Sequence, residues 1–122
     1  MSTLGVTKSF RHPSASTPVT ATLTATTDAE VIAAPSAGFS IYVTDLLVSN
    51  GASSITRLDL KEGSGGTIRL SQHLAATGGG FSKEFDPVWR LPPAIGLFGA
   101  LGTAVTDVRV NVTYFVDRSY GI

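Results

Sequence analysis

Residues 106–118, TDVRVNVTYFVDR, alternate with a period of two. Val108, Val110, Val112, Tyr114 and Val116 share one phase, and Asp107, Arg109, Asn111, Thr113, Phe115 and Asp117 share the other. Successive side chains of a strand point to opposite faces, so the first set faces one side and the second set the other. The first face is wholly β-branched or aromatic, which suits a buried pleated surface. The stretch therefore reads as a long central strand with one face in a core. Phe115 lies on the polar face, so part of that face is expected to be covered as well.

The same reading extends outward along the chain. VTATLTAT, residues 19–26, sets Val19, Ala21, Leu23 and Ala25 against four threonines, the pattern of a strand with one solvated face. EVIAA, residues 30–34, is a short strand stopped by Pro35. FSIYVTDLLVS, residues 39–49, puts Phe39, Ile41, Val43, Asp45 and Leu47 on one phase and Tyr42, Leu46 and Val48 on the other. Both faces are partly apolar, which predicts burial on most of both sides. ITRLDLKE (55–62) and TIRLS (67–71) flank Gly63-Ser64-Gly65-Gly66 and read as a β-hairpin, with Leu58, Leu60, Ile68 and Leu70 inward and Arg57, Asp59 and Lys61 outward. HLAATGGG (73–80) is a loop, FSKEF (81–85) a short strand, and Val88–Leu91 an edge strand closed by Pro92-Pro93. AIGLFGALGTAV, residues 94–105, reads as a buried apolar loop, because the glycines at 96, 99 and 102 argue against a helix.

No segment of ten residues carries a helical period. About eight strands with Gly or Pro between them predict an all-β fold, a single antiparallel β-sandwich that is jelly-roll-like. The domain is expected over 18–122, preceded by an extended arm over 1–17 in which Leu4, Val6 and Phe10 are the sizeable apolar groups after Met1.

Composition narrows the function. The chain has 122 residues, enough for one domain with its own core. It has no cysteine, which excludes a disulfide framework and thiolate metal sites. Nine basic and nine acidic residues give no cationic surplus for nucleic acid. The apolar run at 94–105 is too short to span a membrane, and the N-terminus has no run long enough for a signal peptide. Only 15% of residues are charged, against about a quarter in typical domains, which favours a component covered by neighbours.

Chemistry is hard to find. The loops EGSGG and TGGG are followed by strands and not by a helix N-terminus, so they are turns and not phosphate loops. His12 and His73 are the only histidines and have no metal-ligand spacing. No Gly-x-Ser-x-Gly elbow is present. Asp45 shares a phase with apolar residues, and a carboxylate there needs a partner; Arg57, Arg69 or Arg90 is expected to pair with it, or Asp45 to lie at a sheet end. Asn111-Val112-Thr113 is a formal glycosylation sequon, read as incidental. Trp89, beside Arg90 and before Leu91-Pro92-Pro93, is either a sugar-stacking platform or a core or interface residue. The chain is expected not to be an enzyme and to use no cofactor or metal.

Residues 19–117 resemble small β-sandwich proteins of tailed bacteriophages. The order of elements carries the resemblance: a polar arm, then VTATLTATTDAEVIAAPSAGFSIYVTDLLVSN, then LKEGSGGTIRLSQHLAATGGGFSKEFDPVW, then a final VRVNVTYFV strand. Such proteins commonly serve as capsid decoration (cement) proteins. The resemblance implies a protein on the virion surface, assembled in the host bacterial cytoplasm, that binds the major capsid protein as a homotrimer, without nucleic acid or membrane. In that setting Leu4, Val6, Lys8, Phe10 and Arg11 are the expected capsid contacts, and Ile95, Leu97 and Phe98 the expected oligomer contacts. The alternative is a carbohydrate- or receptor-binding module of a fibre or spike, with Trp89 as the glycan contact. Neither strand order nor oligomeric state follows from the sequence.

Overall fold

A computed structural model describes residues 16–119. Eight strands are found among them: β1 (Thr17–Leu23), β2 (Ala29–Ile32), β3 (Phe39–Asn50), β4 (Thr56–Glu62), β5 (Thr67–Leu74), β6 (Gly79–Arg90), β7 (Leu97–Leu101) and β8 (Val108–Arg118). The described residues contain no helix. The expected all-β sandwich is met. One antiparallel sheet runs β1-β8-β3-β6 and the other β2-β7-β4-β5. Each strand of the first half lies beside its counterpart counted from the other end: β1 with β8, β2 with β7, β3 with β6, β4 with β5. Spacing along the chain could not give this order.

The inward faces follow the valine and leucine phases. Val108, Val110 and Val112 of β8 are fully or almost fully buried, and they pack with Ile41, Val43, Leu46 and Val48 of β3 against Leu58 and Leu60 of β4. The outer phase of β8 carries Phe115, which is also buried, because its ring stacks on Tyr42 with centroids 4.9 Å apart and planes 3° from parallel. The hairpin of β4 and β5 forms as expected. Gly63 and Gly65 take φ of +90° and +69° in its turn, where a side chain would be strained.

Several expectations are corrected. In β3, Thr44 is bulged out of the pairing: Val43 faces Tyr114 and Asp45 faces Thr113. A bulge shifts every later side chain to the opposite face. Leu46, Val48 and Asn50 therefore point inward, while Asp45 and Leu47 join Tyr42 on the outside, and Leu47 is 55% exposed. Asp45 needs no buried partner; the Thr44 hydroxyl lies 2.9 Å from its Oδ1, and 3.0 Å from the Thr113 carbonyl, and donates to one of the two. Of the expected partners, Arg57 bonds Asp59 and Arg69 bonds Glu62. A second irregularity, between Leu60 and Lys61 in the pairing with β5, sets Ile68 opposite Lys61 on the outer face, where it is half-exposed rather than inward.

The apolar run at 94–105 is not all loop. Its centre is β7, an interior strand of the second sheet between β2 and β4. Gly99 faces Leu23 and Leu60 there; a Cβ on it would come within 2.8 Å of Leu23 Cδ1. The glycine argues against a helix, as expected, but its role is close packing. The separate strands expected at 81–85 and 88–91 belong to one strand, β6. Its pairing with β3 jumps from Glu84 to Trp89, so Phe85–Val88 bow out of the ladder.

Candidate functional site

On the outer face of the β2-β7-β4-β5 sheet the charges are tied to one another. Asp59 is only 6% exposed. It accepts from Arg57 Nε at 3.1 Å and Nη2 at 2.9 Å, and from the Ser71 hydroxyl at 2.6 Å. Burial alone would raise its pKa, but the bonds from Arg57 and Ser71 and the charges of Arg57 and Lys61 outweigh it and hold the carboxyl below the usual range. Asp28 joins the turn after β1 to the hairpin: it accepts from Lys61 Nζ at 2.8 Å and from the Gly65 N–H at 2.5 Å. The Lys61 bond, then the Gly65 bond, lower its pKa.

Both depressed carboxyls give stability that is present above the unfolded pKa, about 3.9, and lost as pH falls through the folded values. Urea midpoints are therefore expected to be flat from pH 7 to 5 and to drop below pH 4. Asp28→Asn with Asp59→Asn should flatten that drop; an unchanged acid slope in the double variant would refute the assignment.

Along the side where the edge strands β5 and β6 lie, Leu70, Phe81, Phe85 and Trp89 are half-buried against the core. Trp89 pairs with Val43 and so faces inward, not outward. Its indole N–H donates to Glu62 Oε2 at 3.1 Å, and Arg69 Nε donates to Glu62 Oε1 at 2.9 Å. The Glu62 side chain is only 8% exposed. This relay ties the two sheets at one end of the seam, and the Trp89 ring also tilts against Phe85, 5.5 Å between centroids. A stacking platform for sugar needs an open ring face; Trp89 has a neighbour on its ring and a partner on its nitrogen.

At the far end of the sandwich, Ile55 is 70% exposed beside a hollow of about 560 Å³ lined by Arg57, His73, Leu74, Ala75 and Thr103. Ile55 shares the outward phase of Arg57, Asp59 and Lys61, so its exposure was legible in the sequence. The expected oligomer contacts divide. Leu97 is fully buried in the core and offers no surface to a neighbour; Ile95 and Phe98 are half-buried, with Phe98 on the outer face opposite Glu30 and Lys61. The expected capsid contacts Leu4, Val6, Lys8, Phe10 and Arg11 lie outside the described residues. Asn111 is held within the first sheet, accepting from the Thr20 hydroxyl and donating to the Leu47 carbonyl. Among the described residues no group of three or more His, Cys, Asp or Glu side chains is arranged to hold a metal ion. No protein-family model matches the chain, and no curated protein matches it.

Proposed function

We propose that the chain is a structural virion protein that binds the outer surface of a phage capsid, stabilises it, and works as a trimer. The observation that supports this reading best is the distribution of exposed apolar side chains. Leu47, Ile55 and Ile68 are the large apolar side chains exposed among the described residues, and they lie on the outer face of one sheet, the end of the sandwich, and the outer face of the other sheet. Meanwhile four ion pairs among the described residues tie up charges within the molecule. Apolar groups on several sides fit a protein with several neighbours, copies of itself and a shell of major capsid protein. Weak contacts suffice there, because a trimer binds by several at once. The nested strand order also supports reading the sandwich as a jelly roll, the architecture of many capsid proteins. The glycan-binding alternative loses its main support in the inward setting of Trp89.

The test is co-sedimentation of the full chain with shells assembled from the major capsid protein of the same genome. Saturable binding is expected, with a plateau in multiples of three chains per site. One of Leu47→Glu, Ile55→Glu and Ile68→Glu should abolish it. No pelleting of the unmodified chain with shells would overturn the proposal.

A further inference from the structure

We propose that residues 3–10 of one copy add as a strand to the outer edge of β6 in a second copy. The inference bears on the trimer of the virion reading and not on its capsid binding, since it concerns only how copies of this chain meet. Four observations carry it.

The first is an open seat. β6 and β5 are the edge strands on one side of the sandwich, and β6 has no partner on its outer side among the described residues. Edges of this kind are templates for another strand. On that side Leu70, Phe81 and Phe85 are only partly buried. The bow at 85–88 contains Pro87 and blocks the far half of the edge, which leaves Gly79–Glu84, a regular stretch of about 20 Å.

The second is the pattern of the segment. In TLGVTKSF, residues 3–10, Leu4, Val6, Lys8 and Phe10 share one phase and Thr3, Gly5, Thr7 and Ser9 the other. A strand so built turns three apolar groups toward the seam and small polar groups outward.

The third is charge. The first 27 residues hold no acid, but include Lys8 and Arg11. On its outer face the receiving edge exposes Glu84, with Asp45 opposite it on β3 and Asp86 beyond, while Lys83 has the inward phase of Phe81. Like charges opposed across a ladder are relieved by a cation on their own face; Arg11, next after the segment, has the outward phase of Thr3, Gly5, Thr7 and Ser9, whereas Lys8 has the seam-facing one.

The fourth is reach. Ser16 enters β1 at the opposite edge of the same sheet. A β1 edge of one copy set against a β6 edge of the next is a heterologous contact that closes into a ring when the rotation allows. Residues 11–16 then bridge up to about 20 Å, enough to cross from one copy to its neighbour.

Light scattering on the full chain tests this. The unmodified chain should exceed one-chain mass at about 100 μM, where even a weak contact is populated. Val6→Asp, a segment variant, and Phe81→Asp, an edge variant, should each fall to the 12.6 kDa of a single chain. Mixing the two should restore a two-chain species, because the intact segment of one meets the intact edge of the other. Trp89, the sole tryptophan, reports by its emission whether the edge variant is folded. If it is not, exposed Glu84→Lys replaces it, with at least a tenfold weaker self-association expected. A one-chain mass for the unmodified protein, full-size variants, or a mixture that stays single-chain would each overturn the inference.

Discussion

Leu97→Ala should lower stability by about 3 kcal/mol, within the range for deleting a buried leucine side chain. For a chain of this size that corresponds to a fall in melting temperature of roughly 10 °C. Leu97 is fully buried and sits in an interior strand, with β2 on one side and β4 on the other. Its ladder neighbours are Ile32 of β2 and Glu62 of β4, so the space it would leave cannot close without moving one of them. Phe98→Ala, one residue on, should cost less than half as much, because that ring lies half-exposed on the outer face between Glu30 and Lys61. The pair separates two roles that the sequence ran together in one apolar stretch. If Phe98 meets a neighbouring copy, its loss should reduce solution mass while leaving the monomer's melting nearly intact. Equal losses of melting temperature in the two variants would sink the division of roles.

The long strands were legible because their periodicity is strong and their faces differ. VRVNVTYFV needed no structure to be read, and its three inward valines are where the pattern put them. The hairpin at Gly63–Gly66 was legible for the same reason, helped by turn chemistry. Phase was lost wherever the ladder gains a residue. Thr44 looks like one more position in an alternating strand, and nothing about a threonine announces that it drops out of register. Everything after it in β3 was therefore assigned to the wrong face, including Asp45 and Leu47. The burial of both faces expected for that strand partly reflected two inward half-strands laid end to end in opposite phase. β7 was missed because an interior strand packed with Gly99 and Ala100 has too little side-chain contrast to show a period.

The functional surfaces were less legible. Ile55 could have been found from its phase. Ile68 could not, since its outward setting depends on the irregularity beside Lys61. In the Arg69–Glu62–Trp89 relay, Glu62 and Trp89 are 27 residues apart in sequence, and only the stacking of the two sheets brings the carboxylate to the indole N–H. The sequence left Trp89 between a stacking platform and a core or interface residue, because a single tryptophan near prolines carries no sign of which way it points.

Asn50→Ala should be as damaging as the loss of Leu97, about 2–4 kcal/mol. Asn50 is completely buried. Its Nδ2 donates to the carbonyls of Ser54 and Ala75 at 3.0 and 3.2 Å, and its Oδ1 accepts from the Ala52 N–H at 3.0 Å. Its own carbonyl accepts from the Gly78 N–H, and the Thr77 N–H bonds the Ala52 carbonyl. One amide thus clamps the β3–β4 loop to the β5–β6 loop at the end of the sandwich where Ile55 is exposed. Alanine leaves two carbonyls and one N–H without their partner. Asn50→Asp gives a sharper test. The ionised carboxylate would face two carbonyl oxygens in a buried site, so its folded pKa should be raised above the unfolded value. A raised carboxyl pKa costs stability at neutral pH and returns it as pH falls toward 4, where the group is protonated and can donate again. Urea midpoints of Asn50→Asp should therefore rise from pH 7 to pH 5, over a range where the unmodified chain is flat. A pH-independent deficit in that variant would show that the amide clamps nothing, and that the two loops hold their places through their backbone bonds alone.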